Sequence, residues 1–168
     1  MKQNAKAQHK RTGESPLDAA LRFLGPRART IREVERHLDD LDYGEIEIME
    51  TVERLKELSL LGDEAYASEF IDSRLRSKPV SRAHLKEQLR SHEIDADIID
   101  DALSVVDDDL EKENAYRAAK ACFPKEGMSD DGKTYERLIA KLMRHGFGYY
   151  DSRSAIDRCV AEAEGTER

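Results

Sequence analysis

Tryptophan is absent from this 168-residue sequence, aromatic residues make up only 6% of it, and it holds two cysteines and four prolines. So little large apolar surface argues against a sheet sandwich or a deep ligand pocket and leaves narrow helices packed by Leu, Ile and Ala. Cys122 and Cys159 form neither a disulfide framework nor a C-x-x-C pair, which points to buried thiols in a reducing compartment, the cytoplasm. No apolar run approaches the length needed to span a bilayer, and the polar stretch from Met1 to Pro16 lacks a signal-peptide core, so no membrane association is expected. Residues 1–16 are expected to be a disordered tail.

What is abundant is charge, at 38% of residues with a net of −8. That balance argues against a simple electrostatic coat on DNA, but its distribution is uneven. From Met1 to Arg36 nine Lys or Arg face four acids, and from Arg74 to His92 six face Glu87 alone. Between Glu93 and Asn114 ten acids face Lys112. A surface so polarised would steer a mixed-charge partner.

Alternating β-branched runs do not occur, whereas apolar residues recur at three and four positions throughout, so the fold is expected to be all-α. Leu17, Ala20, Leu21 and Leu24 share one helical face that stops at Gly25-Pro26. Thr30 and Glu33 form a capping box before Ile31, Val34 and Leu38. A third helix follows Gly44, with Ile48, Val52, Leu55 and Leu58 inward, ending near Gly62. The grammar then returns: Ala67, Phe70, Ile71 and Leu75, a break at Lys78-Pro79, a helix capped by Ser81, and a helix with Ile98, Ala102 and Val105 inward. Leu85 and Leu89 repeat Val34 and Leu38 roughly 51 residues on.

A third pass has Ala115, Ala118, Ala119 and Cys122, a break from Pro124 to Gly132, a helix from Thr134 with Leu138 and Leu142, and a last helix around Ile156 and Val160. Thr30, Ser81 and Thr134 are thus expected as equivalent N-caps. The reading is three tandem three-helix repeats, over 17–62, 63–107 and 108–168 with a C-terminal tail. Each is too small for a large core, so neighbours are expected to stack, share apolar faces and form an elongated, curved molecule.

Two basic groups are candidates for partner contact. Arg29, Arg32 and Arg36 have the spacing of one helical face next to Arg27, although Glu33 and Glu35 interleave with them, which also fits a solvated face. Arg74, Arg76, Lys78 and Arg82 surround a helix break where long side chains can converge, or simply solubilise a turn. Asp63 reads as a helix N-cap, with Tyr66 and Phe70 as core or groove aromatics. The run Asp107 to Asp109 reads as an acidic helix start rather than a metal site, and the five histidines show no ligand spacing. Lys133-Thr134 after Gly127 and Gly132 only faintly echoes a phosphate loop, with no strand before it. Phe147, Tyr149 and Tyr150 could stack bases or pack the entry to the last helix.

Ala20-Leu21-Arg22-Phe23-Leu24 followed by Arg27, Arg29, Thr30, Glu33 and Leu38 resembles the opening helix pair of the RecX family, and Leu58 to Arg74, reading LSLLGDEAYASEFIDSR, is similar to that family's most recognisable signature. The family's next motif has a glycine, a basic residue, a Glu-Leu pair and Lys-Gly-Ile; here stand Ser81, His84, Gln88-Leu89 and His92-Glu93-Ile94. The repeat pattern extends the resemblance from Leu17 to Val160. It implies a non-enzymatic protein without metal or cofactor, binding the RecA filament as a monomer and restraining its recombinase, ATPase and coprotease activities in DNA repair and the SOS response. Direct contact with single- or double-stranded DNA would be weak. The alternative is a stand-alone DNA-binding protein using the Thr30 or Ser81 helix as the recognition helix of a helix-turn-helix. No nucleophile–base pair or cofactor motif speaks for an enzyme.

Overall fold

The computed structural model describes residues 13–25, 27–124 and 132–166. Among them are nine α-helices: α1 (Pro16–Leu24), α2 (Ile31–Asp40), α3 (Glu45–Glu57), α4 (Asp63–Ser77), α5 (Arg82–Ser91), α6 (Ala96–Leu103), α7 (Asp108–Cys122), α8 (Lys133–Arg144) and α9 (Tyr149–Thr166). They group in threes as tandem three-helix repeats. The expected tail up to residue 12, the stop at Pro26 and most of the break after Pro124 lie outside the described residues. Glu14 to Pro16, expected in the tail, instead belong to the first repeat. The Ser15 side chain caps α1 at Asp18 N, Pro16 takes the first helical turn, where its missing N–H costs nothing, and the Tyr43 hydroxyl donates to Glu14 O.

Each repeat closes over its own apolar cluster. The first buries Ala20, Val34, Leu38, Val52 and Leu55; the second Ile71, Leu85, Leu89, Ile99 and Val106; the third Ala119, Leu138, Leu142, Phe147 and Ile156. The third also clamps α7 to α9 through Tyr116, whose hydroxyl donates to Glu162 while the Arg158 guanidinium sits 3.6 Å from its ring centroid. The expectation of shared apolar faces therefore needs correction, because these clusters are separate and the joints between repeats are largely polar. Leu110 at the start of α7 is the exception, packing back on the second cluster.

The joints are built twice to one plan. Thr30, N-cap of α2, accepts from Glu33 N and donates its hydroxyl to the carbonyl of His92, the C-cap of α5. Ser81, N-cap of α5, accepts from His84 N and donates to the carbonyl of His145, the C-cap of α8, at 2.7 Å. Beside them, the first N–H of α2, on Ile31, donates to Asp63 Oδ1, and the first N–H of α5, on Arg82, donates to Glu111 Oε2. A buried helix start thus has its free donors satisfied by the following repeat, and a helix end has one carbonyl satisfied by the preceding one. Arg36 adds an ion pair to Glu93 across the first joint.

Four details differ from the sequence pattern. Thr134 is not an N-cap: α8 starts at Lys133 behind Gly132, whose φ of 67° is one that glycine adopts at no steric cost. In α6 the inward face carries Ile99 and Leu103, followed by Val106, while Val105 is exposed. Leu58 is likewise exposed, and Leu61 fills the core instead. Leu21 sits at the solvent edge of α1, with Ala19 and Ala20 facing in.

Gly146 has φ of +86°, and a Cβ placed there would lie 2.5 Å from Ser81 Oγ. Gly146→Ala is expected to destabilise the protein by about 1–3 kcal/mol in urea titrations, from backbone strain and loss of the Ser81 bond together. Burial raises the Asp63 carboxyl above its ordinary range, against the opposing hydrogen bond from Ile31 N. The folded state therefore holds the Asp63 proton more tightly than the unfolded chain, and this contribution is lost as pH rises through the raised value. Asp63→Ala should cost about 1–3 kcal/mol by orphaning the Ile31 N–H. Asp63→Asn keeps an acceptor and should cost less than about 0.5 kcal/mol near pH 7, with a flatter pH dependence between about pH 4 and 7 in the same titrations.

Candidate partner-binding surface

The basic residues singled out in the sequence separate into two sets. The first is already paired within the fold. Arg29 lies 3.8 Å from Glu33, Arg32 2.9 Å from Glu35, and Arg36 pairs with Glu93. Arg82 bonds Asp108 through its guanidinium at 3.1 Å, besides its main-chain bond to Glu111. Arg36 and Arg82 thus help to join repeats, and the α2 ridge is in large part a salt-bridged helix face.

Arg27, Arg74, Arg76 and Lys78 form the second set, and none of them is in an ion pair with a carboxylate among the described residues. Arg27 lies just before α2, and Arg74 projects from the last turns of α4; the first joint brings them to one groove of about 340 Å³, with Tyr66 and Phe70 in its wall and Glu69 and Ser73 beside them. The Arg74 guanidinium sits 4.8 Å from the Phe70 ring centroid, a cation–π contact that holds the charge at the surface. His92 packs against the groove's two aromatic residues, its ring 5.4 Å from Tyr66 and 5.6 Å from Phe70, with Nδ1 3.3 Å from the Tyr66 hydroxyl and 3.4 Å from Glu33. Burial, with Glu33 nearby, pushes the Tyr66 phenol above its ordinary value, so it remains a neutral donor.

Arg29 backs this arrangement, 4.2 Å from the centroid of Phe23, which itself stacks on His37 at 4.0 Å. Burial and the neighbouring Arg22 hold the His37 imidazole below its ordinary value. Arg76 and Lys78 lie exposed at the end of α4, where cations complement the helix dipole. Lys78 faces away from the first groove and lines a second one, between repeats two and three.

The convergence of Arg27 with Arg74 and the seat of Phe70 between them were not visible in the sequence; the available signal was that Arg27 and Lys78 precede their N-caps by the same three residues. Arg32 and Arg36 line a separate, wider groove over α2 and α3, of about 780 Å³, and Arg82 lines its counterpart over α5 and α6. Phe147 is buried, while Tyr150 is 83% exposed. Among the described residues no group of three or more His, Cys, Asp or Glu is placed to hold a metal ion, and no helix is long and apolar enough to cross a membrane.

Residues 17–55 match the first three-helix domain of RecX, and residues 63–103 match its second. The chain is 33% identical over 142 residues to the regulatory protein RecX of Chlorobium phaeobacteroides, covering 84% of this chain and 91% of that one. It is 29% identical over 156 residues to that of Mycolicibacterium vanbaalenii, covering 89% and 83%. Among solved structures, RecX from Lactobacillus salivarius superposes with a TM-score of 0.78 at 26% identity, over 85% of this chain and 93% of that one. With its first two repeats matching the family's first and second three-helix domains in order and a relative 33% identical over most of both chains, this protein belongs to the RecX family.

Proposed function

We propose that this protein is a non-catalytic regulator that binds the RecA recombinase filament as a monomer in the cytoplasm and restrains its recombinase, ATPase and coprotease activities during DNA repair and the SOS response. The observation that carries this reading is the second basic set. In a chain of net charge −8, Arg27 and Arg74 at the first joint, Lys78 at the second and Arg76 at the end of α4 have no internal carboxylate partner among the described residues, the arrangement expected of side chains reserved for an external anionic surface. Relatives of similar length are regulatory proteins by name. A row of three joined units also suits a partner that repeats along an axis, since contacts to successive protomers add through effective concentration rather than through one large interface. Arg29, Arg32, Arg36 and Arg82 contribute by holding that surface in place, each within its own ion pair.

The test is RecA-catalysed ATP hydrolysis on single-stranded DNA, with this protein added at sub-stoichiometric amounts. Hydrolysis is expected to fall at ratios too low to sequester the DNA. Reversing Arg74, Arg76 and Lys78 to Glu should raise the concentration needed by at least about tenfold, or 1.4 kcal/mol, with an unchanged urea midpoint. Arg32→Glu, at an internally paired position, should shift it by less than about threefold. Unaffected hydrolysis would sink the proposal, and salt-sensitive binding to naked DNA at matching concentrations would favour the stand-alone DNA-binding reading instead.

A further inference from the structure

The two joints share a plan but differ at the groove beside them. Around the first, Arg27 and Ala28 face Tyr66, Phe70, Ser73 and Arg74. Around the second, Lys78 and Pro79 face Ala118, Ala121 and Cys122. The linker residues correspond at roughly 51 positions and the helix residues at roughly 48, so Ala118 stands where Phe70 does, and Cys122 where Arg74 does. The buried pairs Ala67 and Ile71 of α4, and Ala115 and Ala119 of α7, keep the same correspondence.

With Ala118 in place of the aromatic, the second groove is a compact hollow walled by small side chains. Its volume is about 260 Å³, and its floor is apolar, with Val80 and Phe147 each 3% exposed and Ala118 and Cys122 half-buried. Its charge has changed as well. Where the first joint has Glu33 and Glu69, the second has His84 and Arg117. Among the described residues no carboxylate lines this hollow, while Lys78, Lys141, His84 and His145 all do, and neither lysine is in an ion pair with a carboxylate. In a chain with 36 acidic residues, a carboxylate-free apolar hollow rimmed by unpaired cations is a selective environment. It disfavours a cationic visitor and favours an anionic one.

We propose that this second groove is a docking site for an acidic peptide segment of another protein, which inserts one apolar side chain beside Ala118 and Cys122 and places carboxylates against Lys78 and Lys141. The hollow is smaller than a typical small-molecule site and has room for one or two side chains. Its one aromatic residue, Phe147, is only 3% exposed and offers no open face for a nucleobase. An anchored side chain with charged flanks is the usual economy of short-peptide recognition, affinity coming from the buried anchor and orientation from the charges. This groove would serve a partner whether or not that partner is the recombinase, and apart from Lys78 its residues lie outside the surface proposed above for filament binding.

A phage-displayed library of 12-residue peptides, selected against the full chain and followed by fluorescence anisotropy of the synthesised winners, tests the assignment. The expected winners carry Asp or Glu around a single Leu, Ile or Phe. Their affinity should fall at least tenfold when the anchor is changed to Ser, and at least tenfold again in the protein variant Ala118→Phe, which restores the side chain found at the first joint without altering charge. Lys141→Glu, at an exposed position, should weaken them comparably and keeps the test decisive if Ala118→Phe misfolds. Winners that are basic, winners indifferent to both variants, or no winners at all would overturn the proposal.

One further occupant must be separated. The chain's own stretch from Asp97 to Asp109 is acidic around Val105, which is 61% exposed. Concentration-dependent self-association in sedimentation velocity, abolished by both Lys141→Glu and Val105→Glu, would replace the foreign peptide with a second copy and so overturn the assignment. Because Ala118 and Lys141 are outside the filament surface, loss of peptide binding with intact inhibition of RecA, or the reverse, shows which of the two proposals has failed.

Discussion

The hydroxyl of an N-cap residue, Thr30 or Ser81, sits where two helices of successive repeats meet end to end, and the arrangement of the whole chain depends on it. It accepts from its own helix and donates to the last turn of the next repeat's middle helix. Both residues are fully buried. A buried helix start and a buried helix end would each leave polar groups unpaired, at about 1–3 kcal/mol for each group. Bringing the two ends together removes both liabilities at once. It also fixes the order in which repeats can associate, because the acceptor is supplied by the following repeat and the donor by the preceding one. The helix ends outside the two joints are built differently: Leu41 rather than a histidine ends α2, and α8 starts from Gly132 rather than from a hydroxyl residue.

Polar joints between separately cored units have a mechanical consequence. Each repeat holds its shape through its own cluster, while the angle between repeats is set by a handful of hydrogen bonds and one ion pair at each joint, Arg36–Glu93 and Arg82–Asp108. Directional bonds tolerate less sliding than an apolar seam does, so neighbouring surfaces keep their register. That is a requirement for the first groove, whose two walls come from different repeats: Arg27 from the linker before α2 and Arg74 from α4. A partner surface that spans the joint meets charges whose separation is fixed by the joint and not by any one repeat.

Much of this was legible one helix at a time. The Thr30–Glu33 capping box, the Ser81 cap and the leucines Leu38, Leu89 and Leu142 follow from local chemistry and spacing, and all are where those rules place them. Phase was harder. In α6 both the set Ile98, Ala102, Val105 and the set Ile99, Leu103, Val106 have helical spacing, and periodicity alone does not choose between them. Carrying Ile48, Val52 and Leu55 forward by roughly 51 residues picks the second set, which is the buried one. The error at Thr134 has the opposite origin: the repeat offset was followed where a left-handed glycine had already started the helix. The candidate surface was legible as composition but not as geometry. A run of arginines looks the same whether each faces a neighbouring Glu, as Arg29, Arg32 and Arg36 do, or faces solvent, as Arg76 does, and only the packing of one repeat on the next decides which.

Repeats that share a joint are free to diverge beside it, and this chain shows how far such divergence reaches. Phe70 and Arg74 wall the first groove with an aromatic ring and a guanidinium; Ala118 and Cys122, at the matching places, wall the second with small apolar side chains. Neither pair contributes to the hydrogen bonds that join the repeats, so the exchange does not touch the feature on which the order of repeats depends. The same separation explains why an altered motif from Ser81 to Ile94 is compatible with an unaltered fold. Ser81, Leu85, Leu89 and Ile94 are buried and keep the cap and the core, whereas His84 and His92 are only half-buried and face the two grooves. Substitution in that stretch therefore changes what the grooves present while the row of repeats stays intact, which places the capacity for partner choice in the walls of the joints and the fold in their hydrogen bonds.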